Sequence, residues 1–366
     1  TIRANGTGRT GIHTHGGSGG SIYITCRKLE GASTGLIQAN GETTSHGGWG
    51  GGGGRIAIIY DTSAQAGQNP GIKFEAKGGM GGTYADYRQW GDFGTLYMSD
   101  TTVLSTVMTN GQLSYVRFHA PSFTNWNVSS LLIGNYTVLD FPSNFTLNVS
   151  GNLRINPFGQ LGIREHSVVN VGGNLQLPLS GKMFIRAGPT NGWGKNYGTF
   201  INVSGDISVG ESSYIYPFAD PMDGGGVLFR AKNITVGTSG YIDASGKGYS
   251  ADYGPGKALY GGAGHGGQGG KSSWNNPGGP VYGFTNMPSR PGSGSTGATG
   301  GAEGGGFIWM EAMQNFILNG SLLANGLGPQ AIHYGGGSGG AIFIRCRSFS
   351  GSSDGIARAN GGNGSY

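Results

Sequence analysis

The chain carries 18 Asp and Glu side chains, and they are scattered. Hydrolysis or elimination on a polysaccharide needs two converging carboxylates, or carboxylates that hold Ca²⁺ beside a basic residue. Asp220 and Asp223 in FADPMDGGG come nearest to a cluster, and beside Pro221 their spacing suits turn capping better. His13, His15 and His333 fall in matching loops, where a His-x-His pair could bind a metal, but no third ligand stands near them in sequence. These residues are therefore read as exposed loop histidines, and the expectation is a protein that is not an enzyme and has no cofactor and no metal.

Three phrases imitate nucleotide or acyl-transfer motifs. GTGRTG at 6–11 fits GxGxxG, yet with 79 glycines in 366 residues about three such matches arise by accident. No amphipathic helix follows to receive a pyrophosphate. GHGGQGGKS resembles a phosphate loop, but His265 stands where its first glycine belongs. Ser18 and Ser338, each inside GGSGG, satisfy GxSxG without the helix that a nucleophile elbow requires.

The pattern that exceeds chance is Asn-x-Ser/Thr. Nine sequons occur, at Asn5, Asn127, Asn135, Asn144, Asn148, Asn202, Asn233, Asn319 and Asn363, where composition predicts roughly four. Six fall between 127 and 233. In TLNVSGNLRI the apolar residues Leu147, Val149, Leu153 and Ile155 face inward, so Asn148 faces out, and Asn202 and Asn233 obey the same parity. A bulky N-glycan needs that orientation, and its attachment places the chain outside the cell. Cys26 and Cys346 end the equivalent phrases SIYITC and AIFIRC, on one face with Ile22 and Ile24 or Ile342 and Ile344. Both thiols are expected inward, either as small core hydrophobes or as a disulfide linking stacked repeats.

These residues sit in a repeat. Residues 1–46 align without a gap on 321–366, about half of the positions being identical, and GGSGGSIYITC returns as GGSGGAIFIRC. One sentence recurs five times: a glycine run, an alternating apolar strand, a bend, and a second strand ending near Ala-Asn-Gly. Closing alanines at 4, 39 and 76, then at 324 and 359, lie about 35 residues apart. Around NVSGNLRI and NVGGNLQL the spacing contracts to 22, as if a glycine loop were deleted. Period-two alternation dominates and helical periodicity is nearly absent. Corners built on Asn and Gly suit the left-handed conformation, and stacked Asn5, Asn40, Asn325 and Asn360 would form an amide ladder interrupted at Lys77 and Ser245.

Charged residues are only 11% of the chain, the net charge is +5, and no basic run exceeds Arg27-Lys28, so nucleic acid is an unsuitable partner. No apolar stretch approaches the roughly 20 residues that span a bilayer. A hydrophobic content of 36% argues against disorder despite the glycine. The opening TIRANG, without Met or an apolar leader, reads as a fragment or a processed product.

The wording resembles a right-handed parallel β-helix, specifically the glycine-rich repeats of GGGSGG-strand and AxANGG type in large secreted or surface proteins of bacteria and protists. The resemblance covers 1–98 and 224–366, while 99–223 look more like plain β-helix repeats of adhesin type. It implies an extracellular, all-β solenoid with long glycine-rich loops. The organisation expected is 1–98 glycine-rich repeats, 99–240 a sequon-rich centre, 241–306 a long Gly/Pro insertion, and 307–366 repeats matching 1–46. The insertion is far longer than an ordinary loop, which leaves it functional, disordered, or packed as extended polyglycine strands around Tyr249, Tyr253, Tyr260, Trp274, Tyr282 and Phe284. Matched, uncapped ends predict head-to-tail assembly of copies into a fibre or appendage. A second expectation is a carbohydrate-binding module using Trp49, Trp90, Trp193 and Trp274. A third is a β-helix carbohydrate-active enzyme.

Overall fold

The computed structural model describes residues 1–8, 15–44, 49–81, 91–296, 301–329 and 332–365. Among them are thirty strands and one helix, the four-residue turn Thr62–Gln65 capped by Asp61, which accepts from Ser63 N at 2.9 Å and Ala64 N at 3.2 Å. The chain forms two compact units. One comprises Thr1–Thr124, Leu132–Pro142 and Asn156–Gly162, and the other Asn125–Leu131, Ser143–Ile155 and Ile163–Tyr366. They part inside the sequon-rich stretch rather than at residues 98, 240 or 306.

In the second unit, successive passes of the chain add strands to parallel sheets. The first sheet takes Asn125–Val128, Thr146–Val149, Val168–Val171, Thr199–Val203, Val227–Ala231, Phe307–Ala312 and Ala341–Arg345. The second takes Leu153–Ile155, Leu175–Leu179, Asp206–Glu211, Asn233–Val236, Asn315–Leu318 and Ser348–Gly351. The third takes Lys182–Arg186, Tyr214–Phe218, Tyr241–Asp243, Ser321–Leu323 and Ile356–Arg358. Arg230 pairs with Glu311 across 81 residues, so the long insertion leaves the stack and returns without breaking it.

The first unit is built likewise. Ile2–Arg3, Leu36–Gln38, Lys73–Glu75 and Leu113–Ser114 form one parallel sheet. Ser21–Cys26, Arg55–Tyr60, Gly94–Met98, Val116–His119, Val138–Asp140 and Gln160–Ile163 form another.

Alternation explains the burial. Leu147, Val149, Leu153, Ile155, Val169, Val171, Leu175 and Leu177 are all buried, while the residues between them are not. β-Branched side chains fit this pleated, one-sided surface. Truncating one such Leu or Ile to Ala costs about 2–5 kcal/mol.

Corners depart from the expectation. Left-handed φ is taken by side-chain-bearing residues, among them Ser180 (50°), Ser212 (52°) and Ser239 (56°), which stack through Ser180 N to Glu211 O and Ser212 N to Ser239 O. Gly6 and Gly41, in the Ala-Asn-Gly phrases, do not have positive φ. A Cβ there would strike the carbonyl oxygens of Gly17 and Gly51, so those positions need glycine for close approach of backbones rather than for conformation.

Candidate functional site

The first sheet of the second unit brings Asn127, Asn148, Asn170 and Asn202 into register. Because Leu147, Val149, Val169 and Val171 occupy the inward positions, parity turns these amides outward. Asn148 Nδ2 donates to Asn127 Oδ1 at 2.7 Å, Asn170 Nδ2 to Asn148 Oδ1 at 2.8 Å, and Asn202 Nδ2 to Asn170 Oδ1 at 3.4 Å. Asn127 Nδ2 closes the series on Asn125 Oδ1 at 3.3 Å. Each interior amide gives one N–H and one lone pair to its neighbours, and aligned dipoles of this kind polarise one another. Ser129, Ser150, Gly172 and Ser204 flank the row, and together they line an open groove of about 520 Å³. The row ends where Arg230, opposite Asn202, bonds Glu311 through Nη2 at 2.7 Å and Nε at 3.0 Å.

The amide ladder anticipated at Asn5, Asn40, Asn325 and Asn360 takes another form. Asn5 Oδ1 accepts Asn40 N at 2.9 Å, and Asn40 Oδ1 accepts Lys77 N at 2.8 Å. In the second unit Ser245 Oγ accepts Asn325 N at 3.3 Å, and Asn325 Oδ1 accepts Asn360 N at 2.9 Å. Each side-chain oxygen satisfies a backbone N–H of the next pass. Ser245 therefore takes part in the column through its Oγ, while Lys77, whose side chain cannot accept, ends the run that begins at Asn5.

The remaining sequons differ in what their amides do. Asn233 accepts from Asn315 N at 3.1 Å and donates to Asp206 Oδ1 at 2.7 Å, and Asn319 Oδ1 accepts Ser352 N at 2.9 Å. Asn135 (φ 47°) and Asn144 (φ 59°) stand exposed at left-handed corners, and Asn363 is exposed too. Cys26 and Cys346 are both free and half-buried, the first paired in register with Tyr60. Ile22 and Ile24 are less exposed than Tyr23 and Thr25, as their parity requires.

Asp220 and Asp223 cap loops. Asp220 Oδ1 accepts Met222 N at 3.0 Å and Asp223 N at 2.6 Å. Asp223 accepts Thr190 N at 2.6 Å and Thr190 Oγ1 at 2.8 Å. Its burial favours the neutral acid, but the bonds from Thr190 and Asn191 and the charge of Arg290 outweigh that and hold its pKa below the usual carboxylate value. Among the described residues no three His, Cys, Asp or Glu side chains converge to hold a metal ion, and no helix is long and apolar enough to cross a membrane. His13 and Trp90 lie outside the described residues. His15 instead accepts from Trp49 N at 3.3 Å, and His333 lies 5.6 Å from the Trp274 ring.

The insertion contributes a cleft of about 630 Å³ in the second unit, between His265, Val281, Tyr282 and Phe284 on one side and Ala341 and Ile342 on the other. His265 Nδ1 lies 2.9 Å from Gly339 O, so that nitrogen carries the proton, and the Tyr282 ring lies 4.7 Å away, tilted by 36°. The Tyr282 hydroxyl donates to Pro291 O at 2.5 Å and accepts from Ser293 Oγ at 2.9 Å. Burial pushes the imidazole pKa down and the phenol pKa up. Ser338 is buried at the cleft, its Oγ accepting Ser293 N at 2.8 Å. Trp274 and Trp49 are exposed, whereas Trp193 is wedged between His166 at 4.5 Å and Tyr197 at 5.6 Å.

An aromatic stack escaped the reading of the sequence. Tyr214 lies 4.7 Å from Tyr241 and 5.4 Å from Tyr216, which stacks on Phe184 at 4.9 Å. Lys247, buried, places Nζ 5.1 Å from the Tyr216 ring and donates to Ser245 O at 2.9 Å. The signal available was the recurrence of Tyr at the same strand position in YIYPF and YID.

No family model, no curated protein and no solved structure matches the chain.

Proposed function

We propose that the protein is an extracellular, N-glycosylated structural protein whose parallel sheets close as a right-handed β-helix with long glycine-rich loops. It stacks head to tail on copies of itself into a fibre or surface appendage. One observation carries this reading: the outermost strands expose at inward positions what the strands behind them bury. Phe349 is 58% exposed while its partner Phe316 is 0%, and Ile2 is 49% exposed while its partner Ile37 is 3%. Ile342 and Ile344 are half-buried, whereas Ile308 and Met310 beneath them are fully buried. These are the outermost described strands of their sheets, and a further parallel pass laid on them would continue each ladder. The likeness of 1–46 to 321–366, about half of the positions being identical, favours a second copy as the occupant, because an incoming pass would resemble one that the fold already stacks.

Negative-stain imaging and sedimentation of the full chain over a concentration series test it. Filaments that disappear in Phe349→Asp are expected; discrete monomers at every concentration overturn the reading. Intact mass before and after enzymatic deglycosylation tests the glycan. A second reading, a carbohydrate-binding module, draws on the exposed Trp274, whose ring meets Tyr260 at 4.8 Å, with Tyr334 stacked beyond. Glycan-array binding lost in Trp274→Ala would favour it.

A further inference from the structure

We infer that six of the nine sequons divide by the bonding of their amides: Asn135, Asn144 and Asn363 are glycan acceptors, and the ladder asparagines Asn127, Asn148 and Asn202 stay unmodified. This rests on the N-glycosylation in the reading above and names the sites that carry it.

N-glycosylation joins Nδ2 to the anomeric carbon of an oligosaccharide carried on a lipid pyrophosphate. The bond from that carbon to the pyrophosphate oxygen breaks, the pyrophosphate leaves with the electron pair, and the amide gives up one of its two protons. The product needs room for a sugar ring directly on Nδ2. Asn135 and Asn144 offer it: both are exposed, and their left-handed φ turns them out at corners where their side chains make no hydrogen bond among the described residues. Beside Asn135, Tyr136 and Phe158 stack at 5.0 Å with rings 2° from parallel, 66% and 51% exposed. A sugar on Asn135 covers that bare apolar pair.

The ladder has the opposite geometry. Asn148 is half-buried, donates to Asn127 and accepts from Asn170, with both neighbours one strand spacing of about 4.8 Å away. A sugar ring on its Nδ2 would stand beside amides only one strand spacing away, and glycans on Asn127 and Asn148 together would compete for that spacing. Asn170 supplies an independent argument. It sits in Asn-Val-Gly, which is no sequon, yet it holds its place between Asn148 and Asn202. What the column requires of each position is an amide, not an acceptor for sugar. The ladder uses one N–H of Asn148 and a sugar would replace the other, so what opposes a glycan there is crowding by the neighbouring amides one strand spacing away.

The test is site-resolved mass spectrometry of the full chain secreted from a host with N-glycosylation, with each site marked by enzymatic deglycosylation in heavy-oxygen water. Glycans on Asn135, Asn144 and Asn363 and bare Asn127, Asn148 and Asn202 are expected. Occupancy at Asn148 equal to that at Asn135 overturns the partition while leaving glycosylation standing. No glycan at any sequon removes both. As a second measurement, Asn135→Gln and Asn144→Gln should each lower the intact mass by one glycan, and Asn148→Gln should lower it by none; loss of one glycan in Asn148→Gln overturns the inference.

Discussion

Residues 163–236 and residues 246–296 belong to the same unit and exclude water by different means. In the first stretch side chains do it: every strand sends alternate Leu, Ile, Val or Phe inward, and the backbone is satisfied by its neighbours in parallel register. In the second the backbone itself packs. Gly262 N bonds Gly270 O, Gly269 N bonds Gly279 O, Gly279 N bonds Gly262 O, and Gly264 N bonds Gly256 O, all at 2.8–2.9 Å. A Cβ on Gly269 or Gly279 would run into the carbonyl oxygens of Gly262 and Gly256. Glycine loses more entropy on ordering than any other residue. The insertion offsets that with close backbone contact and a few anchors such as Tyr249 and Ser293, leaving Val281 and Phe284 outside. A glycine-rich segment can therefore be ordered without an apolar core of its own.

The contrast breaks most visibly in the core of the strands. Phe229→Ala, at a fully buried position, should cost about 3–5 kcal/mol, read by denaturant unfolding of the whole chain. A loss below about 1 kcal/mol would mean that the sheets do not enclose a packed interior.

Next comes the insertion. Gly279→Ala should destabilise it by about 1–3 kcal/mol through overpacking, with faster amide exchange across 256–282 and little change in global unfolding. Gly267→Ala, where nothing lies within 4 Å, is the control and should leave exchange unchanged. Equal effects of the two substitutions would show that side-chain volume is not what the glycines exclude.

A smaller effect sharpens the ladder. Asn148→Ala removes one donated and one accepted bond, a cost of about 1–2 kcal/mol, whereas Asn144→Gly, which keeps the left-handed φ without strain, should fall within about 0.5 kcal/mol of the parent. A loss at Asn144 as large as that at Asn148 would contradict the division of the sequons.

The smallest effect is of pH. Burial holds the His265 pKa below its ordinary value of 6.5, so the unfolded insertion binds a proton more readily than the folded one. The stability this neutral imidazole contributes is complete above 6.5 and is lost as pH falls below it toward the depressed value. Amide protection near 261–284, taken relative to intrinsic exchange at each pH, should fall as pH drops from about 7.5 to about 5, and His265→Gln should flatten the profile. An unchanged profile in that variant assigns the sensitivity to another group.

Strands were legible because period-two alternation is local: LNVSGNLRI announces which side chains point inward, and Leu147, Val149, Leu153 and Ile155 are buried accordingly. Asp220 and Asp223 were legible as caps because capping uses neighbouring N–H groups. Corners were legible where Asn135 and Asn144 take left-handed φ and were missed where Ser180 and Ser212 do so, under the constraint of stacked turns that no single turn reveals. The column at Asn5 and Asn40 was placed correctly along the chain but given the wrong bonding, because an amide oxygen facing a free backbone N–H takes it in preference to another amide.

By itself the sequence determined which residues face inward on each strand, that the phrase recurs, and where the asparagines stand. Only the tertiary structure decided which asparagines meet. Asn148 and Asn170 touch because the pass between them is 22 residues long, and Asn170 reaches Asn202 across 32. Side-chain direction follows from adjacent residues, whereas the partner of an amide is set by parallel register between distant strands, a quantity that depends on how every intervening loop closes.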